Sequence, residues 1–165
     1  RKGYSPYFLA YITQDQNILQ KKKMINLSVS TTNDTYRYNY DSIKKLCSLV
    51  LDSPNYESIT INMIFTNDED LSEMKREYFN EDVLTDVLVF PMQNDILLDS
   101  EFYISYERAM ESSKEFGVSL NNELVRLIVH GLLHLLGYKD DNDKSKKIMF
   151  NKQEAIVESC NINII

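Results

Sequence analysis

No regular hydrophobic period is visible over the first two dozen residues, and from Met24 onward the chain settles into one. Ile25, Leu27 and Val29 alternate with polar residues, the two-residue period of a half-buried strand. Between Tyr40 and Leu51 the apolar residues Ile43, Leu46, Cys47, Val50 and Leu51 fall at helical spacing, with Lys44 and Lys45 on the other side. Cys47 then reads as a core residue rather than a reactive thiol. Ser58 to Thr66 alternates again through Ile59, Ile61, Met63 and Phe65, predicting a strand, and Asn67 or Asp68 caps a helix that runs to about Phe79. Val87 to Phe90 reads as a short strand closed by Pro91, and Phe102 to Ser105 as another. A helix from about Tyr106 stops at Gly117. The next, Leu120 to Leu136, is apolar nearly all round and so belongs at the centre of the fold, and a last helix covers roughly Lys144 to Glu158. The expected architecture is α+β: a single compact domain in which a small mixed sheet packs against several helices, with one buried helix in the middle.

Composition narrows this picture. A length of 165 residues with 43% apolar content suits one domain with a real core, and three prolines and four glycines argue against a low-complexity chain. No apolar run approaches the roughly 20 residues of a membrane-spanning helix, so no membrane partner is expected. Two cysteines are too few for a disulfide framework and no secretory signal is visible, which points to the cytoplasm. The net charge of -7 disfavours a surface that coats nucleic acid non-specifically, although a bound cation can reverse the field within one cleft. That charge is uneven. Residues 1–23 carry Arg1, Lys2 and Lys21 to Lys23 against Asp15, a balance of +4, while the remainder, 13 minus 24, is -11. Residues 1–23 are therefore expected to be an N-terminal extension, or a helix lying on the domain, and residues 24–165 the folded domain.

The chain has only two histidines, His130 and His134, four apart in the central helix. That spacing stacks both rings on one helix face, about 6 Å apart along the axis, where two nitrogens can reach one metal ion. Gly137 follows at a natural helix end, so the chain can turn back and return Asp140 to the same ion. Two imidazoles and a carboxylate leave a fourth position open, the arrangement of a catalytic zinc site. The alternative is two hydrogen-bonded core histidines beside a solvated acidic turn of Asp140, Asp141 and Asp143. A buried polar pair needs partners, and one metal ion serves both rings.

The run His130-Gly-Leu-Leu-His134-Leu-Leu-Gly137-Tyr138-Lys139-Asp140 resembles the signature H-G-x-L-H-L-x-G-Y-D-H of the YbeY family of bacterial rRNA maturation endoribonucleases, and Glu123 and Arg126 match the run leading into it. Thr85 to Phe90 is similar to that family's T-D-V-L-S-F strand, with Val89 in place of serine. The resemblance spans about Met24 to Glu158 and leaves out residues 1–23. It departs at three places: Asp140 stands where the family has its third metal histidine, preceded by Lys139; Ser100-Glu101-Phe102 replaces G-D-I; and Phe79 takes the place of an arginine, with Arg76 one turn earlier.

The resemblance implies a zinc-dependent, single-strand-specific endoribonuclease acting in small-subunit ribosomal RNA maturation and ribosome quality control, with RNA and the ribosome as partners. His130, His134 and Asp140 would hold one Zn2+, and Arg76 or Arg126 would stabilise the phosphate. Arg126 could equally pair with Glu123, three residues before it, and Arg76 could be a surface residue. Lys144, Lys146, Lys147 and Lys152 form a solvated face that could guide RNA. A zinc peptidase of the H-E-x-x-H kind would need a glutamate where Gly131 stands, leaving Asp86 or Glu101 as substitute bases. A non-catalytic ribosome-associated module that keeps its metal only to fold is the other alternative.

Overall fold

The computed structural model describes residues 24–52, 57–93 and 97–165, so the extension expected over residues 1–23 lies outside the described residues. In chain order the elements are β1 (Met24–Thr31), α1 (Tyr40–Val50), β2 (Ser58–Thr66), α2 (Asp68–Phe79), β3 (Val87–Gln93), β4 (Leu97–Ser105), α3 (Tyr106–Phe116), α4 (Leu120–Leu135) and α5 (Asp143–Ser159). Each helix opens on a side-chain cap: Asn39, Asn67, Ser105, Ser119 and Asn142 each accept a first-turn backbone N–H at 2.8–3.1 Å. These bonds satisfy donors that a helix start leaves without intrahelical partners. Asn67, rather than Asp68, caps α2.

The sheet order is β1-β2-β4-β3, with β1, β2 and β4 parallel and β3 antiparallel to β4. Alternate residues of β2 and β4, among them Ile59, Ile61, Met63, Phe65, Leu98, Phe102 and Ile104, are buried on one face. Ile43, Leu46 and Cys47 of α1 and the apolar residues of α4 complete this core. Burial pushes the Cys47 thiol up to about 12, which keeps it protonated and chemically quiet, in line with its core position. Helix α4 touches α1, α3, α5, β3 and β4 and is the centre of the domain. Helix α2 lies on the opposite face, where Tyr78 and Phe79 meet Phe90 and where Phe90 meets Tyr103. After α5 the C-terminal residues are tied down: the Ile164 N–H donates to Asn121 on α4 at 2.7 Å, and its carbonyl accepts from the Asn39 N–H at 2.6 Å.

Two strands are longer than the sequence pattern suggested. β3 does not close at Pro91 but continues to Gln93. The Ser105 N–H donates to the Asp86 carbonyl at 2.9 Å, and with the unbroken register this fixes the phase of the ladder: residues 86, 88, 90 and 92 face β4, whereas 87, 89 and 91 face away. Pro91 therefore occupies an edge position where no N–H is required. β4 starts at Leu97, five residues before the expected Phe102. Its pattern was hidden because a polar residue, Ser100, sits on the buried face, where its hydroxyl donates to the Thr60 carbonyl at 3.2 Å.

Gly131 sets the distance between α4 and the sheet. A Cβ there would lie 2.7 Å from Cε1 of Phe102 and 3.2 Å from Cγ2 of Val89. His134 is thereby held close to β3, sharing a pocket with Val87, Val89 and Pro91. Gly131→Ala should gain about 1 kcal/mol of helix propensity but lose more to overpacking against a buried ring, for a net destabilisation of about 1–2 kcal/mol in urea unfolding.

Candidate metal centre

His130 and His134 leave α4 on the same face, and the turn after the helix brings back a third group. Gly137, at φ +89, adopts the left-handed conformation that closes the helix: its N–H donates to the His134 carbonyl at 2.9 Å, and the Tyr138 N–H donates to the Leu133 carbonyl at 3.0 Å. Reversed in this way, the chain places the Tyr138 carbonyl 3.1 Å from His134 Nδ1 and carries Asp140 over the two rings. The structure thus brings together the three residues singled out in the sequence. Nε2 of His130 and Nε2 of His134 are 3.1 Å apart, and Oδ2 of Asp140 lies 4.0 Å from the first and 3.7 Å from the second. The side chains are partly open to solvent, so a ligand has access.

Hydrogen bonds fix which nitrogen of each ring is available. The Tyr138 carbonyl can only accept, so His134 Nδ1 carries the proton. Gln153 does the same for His130: its Nε2 donates to Glu154 at 3.0 Å, which turns its Oε1 toward His130 Nδ1 at 2.9 Å. With both Nδ1 atoms committed as donors, metal-ligating imidazoles would aim both Nε2 lone pairs at one point, and a cation between them turns the repulsion of lone pairs 3.1 Å apart into attraction. For zinc bonds of about 2.0–2.1 Å in a tetrahedral shell, donor atoms stand roughly 3.3 Å apart. The two Nε2 atoms, at 3.1 Å, stand near that value, and the Asp140 oxygen, at 3.7 and 4.0 Å, lies a small side-chain rotation beyond it, so the residues present fit a small divalent ion.

The support behind His130 extends through α5. Arg126 on α4 donates from Nε and Nη2 to the two carboxylate oxygens of Glu154 at 2.9 and 3.2 Å, and from Nη1 to the buried Glu123. Hydrogen bonding to Arg126 holds the Glu154 carboxyl below the usual range, and the same bonding pushes the Arg126 guanidinium up. Arg126 is thus occupied by two carboxylates and connects to the metal site through Glu154 and Gln153. Arg76 is not brought to the cluster. Its helix, α2, packs on the other face of the sheet, and its Nε faces the Ser72 carbonyl at 3.4 Å and Asp82 at 3.9 Å.

Glu101 also lies on that other face, accepting from the Tyr103 hydroxyl at 3.1 Å, while Asp86 lines a surface pocket with Leu84, Thr85 and Arg108. Lys139 is exposed beside Asp140, and Lys144, Lys146, Lys147 and Lys152 are exposed on α5. Gln153 and Glu154 were not anticipated from the sequence. A signal was present: Gln153 stands four residues from both Met149 and Val157, a polar residue in a buried helical stripe, and such a residue requires a partner.

A mixed sheet backed by a central helix that bears two histidines, with a carboxylate returned past a glycine turn, defines an α+β protein with a cluster that could hold a metal ion. The chain belongs to the YbeY family: the family described as Endoribonuclease YbeY matches residues 14–161. That match begins upstream of Met24 and so takes in part of the segment that the motif resemblance left out. The chain is similar to Endoribonuclease YbeY of Clostridioides difficile (strain 630), 31% identical over 150 residues, covering 84% of this chain and 98% of that protein. It is likewise similar to Endoribonuclease YbeY of Sulfurihydrogenibium sp. (strain YO3AOP1), 33% identical over 149 residues, covering 87% and 95%. Among solved structures it resembles the solution structure of TM1509 from Thermotoga maritima, with a TM-score of 0.56 and 26% identity over 82% of this chain and 87% of that one.

Two outcomes follow from the hydrogen-bonded support. Gln153→Leu keeps the side-chain volume but removes the acceptor at His130 Nδ1, and calorimetric titration should show metal affinity reduced by about 10- to 100-fold. Because the folded-state pKa of Glu154 is depressed, its contribution to stability is present above the ordinary glutamate value of about 4.3 and is lost as pH falls through the folded value. Urea unfolding from pH 7 downward should therefore show a shallower acid-side loss for Glu154→Gln than for the parent chain.

Proposed function

We propose that this chain is a zinc-dependent, single-strand-specific endoribonuclease acting in maturation of small-subunit ribosomal RNA and in ribosome quality control, in the cytoplasm. The observation that carries this reading is the cluster of two tautomer-fixed imidazoles and Asp140 at the positions of the family's histidine motif. His130, His134 and Asp140 hold the ion, which when bound supplies Lewis acidity toward a phosphoryl oxygen and makes water more acidic. Gln153 and the Tyr138 carbonyl keep the two Nε2 atoms aimed at it. The carboxylate of Asp140 lowers the net charge of the site by one relative to a third imidazole, and Lys139 next to it is the exposed cation nearest in sequence for a phosphodiester oxygen. Arg126 acts at one remove, through Glu154 and Gln153. With a net charge of -7, the protein meets RNA through a local cationic face, Lys139 with the lysines of α5, while the ribosome presents the target.

The peptidase alternative loses support from the same geometry. The protease base position is occupied by Gly131, packed on Phe102 and Val89, and Glu101 lies across the sheet from the histidines. The test measures metal content and single-stranded RNA cleavage together for the full chain, His134→Ala, Asp140→Ala and Asp140→His, with circular dichroism as the check on folding. His134→Ala and Asp140→Ala should lose the ion and about two orders of magnitude or more in cleavage, whereas Asp140→His should keep both. Folded, metal-free variants that cleave at the parent rate would refute the mechanism. A metal-loaded parent chain that leaves RNA intact would favour the non-catalytic module.

A further inference from the structure

The edge strand β3 runs beside His134, and a pocket of ≈ 240 Å³ opens between them, walled by Val87, Val89, Pro91 and Leu135. Its walls are mostly apolar, and its size is below the ~300–1,000 Å³ that encloses a drug-sized ligand, enough for a single ring system. The ladder phase directs the backbone groups of residues 87, 89 and 91 to the strand's outer side, where β3 has no neighbouring strand among the described residues. These three positions are not equivalent. The Val87 carbonyl accepts from the Thr85 hydroxyl at 3.2 Å, and Pro91 has no N–H. Val89 alone of the three presents both an N–H and a carbonyl free of these restrictions.

We propose that this pocket is a nucleobase subsite: one unpaired base of the RNA enters beside His134, lies against Val87, Val89 and Pro91, and bonds its donor–acceptor edge to the Val89 N–H and carbonyl. The inference rests on the endoribonuclease reading and deepens it. Each common base has an edge with an adjacent donor and acceptor, and apolar side chains serve as stacking surfaces for an extruded base. A paired base has its Watson–Crick edge occupied and its faces stacked, so a duplex cannot use the subsite. Strand preference then follows from β3 and not from the metal. The same edge is poorly suited to a peptide, because strand addition requires donor–acceptor pairs at successive alternate residues. Here the pairs at 87 and 91 are compromised on either side of the one at 89.

The test uses the full chain and oligoribonucleotides of one sequence in which single positions around the cleaved bond carry an abasic ribose or 2-aminopurine. With metal-free protein, 2-aminopurine at one position next to that bond should change fluorescence on binding, and an abasic ribose there should weaken binding by about tenfold or more, while the same change several nucleotides away should not. Val89→Pro, which removes the outward N–H together with the isopropyl group packed on Gly131, and Val87→Thr, which alters the wall at nearly constant volume, should each reduce that discrimination, with circular dichroism as the check on folding. Abasic oligonucleotides that bind and are cleaved equally well at every position would overturn the subsite while leaving the nuclease reading intact. Failure of every oligonucleotide to bind or be cleaved, with an unstructured polypeptide cut instead, would overturn the nuclease reading and the subsite with it.

Discussion

The position that governs this domain is a missing side chain. Helix α4 comes so close to β3 and β4 at Gly131 that a single added carbon would collide with the Phe102 ring. Close-packed interiors transmit such a contact directly, since no void exists to absorb a shift. Because His130 and His134 flank Gly131 on the same helix, their distance from the edge of the sheet is set by the same contact. The metal centre and the strand beside it are therefore one mechanical unit.

What the helix positions, hydrogen bonds refine. Each imidazole has its direction set by a group from a different part of the chain: a backbone carbonyl just beyond the helix for His134, and an amide from α5 for His130. The amide is itself orientated by a carboxylate that an arginine grips with two bonds. An arrangement of this kind lowers the entropy lost on metal binding, because the ligands already point at one place in the ion's absence. It also shows how the desolvation of the charged trio, Arg126, Glu123 and Glu154, is offset. Every charge has a partner of opposite sign within hydrogen-bonding distance.

The sequence made the centre of the fold legible and its margins less so. The apolar helix and its two histidines stood out because the helical period and the metal spacing coincide in the same sixteen residues. The cap of α2 was readable to within one residue, Asn67 or Asp68, being local chemistry. The limits of β2, Ser58–Thr66, were readable too, but those of β3 and β4 were not. Whether Pro91 ends a strand depends on whether that strand lies at an edge, and whether Ser100 belongs to a core face depends on a carbonyl forty residues away. For the arginines the local readings held, Arg126 pairing with Glu123 and Arg76 lying at the surface, while the longer-range partner of Arg126 was beyond reach for the same reason. Arg126 meets Glu154 across 28 residues, and Arg76 is separated from the histidines by a sheet whose two faces no local pattern distinguishes.

The dependence of His130 on Gln153, together with the anchoring of Ile164 to Asn121 and Asn39, has a bearing on how the protein matures during synthesis. A nascent chain translated only through α4 already contains both histidines, yet lacks the helix that orients one of them and the segment that fastens α4 to α1. Competence arrives only once α5 has emerged from the exit tunnel. A chain still lacking α5 carries both histidines without the amide that aims one of them, so the centre takes its full form only when the two helices meet.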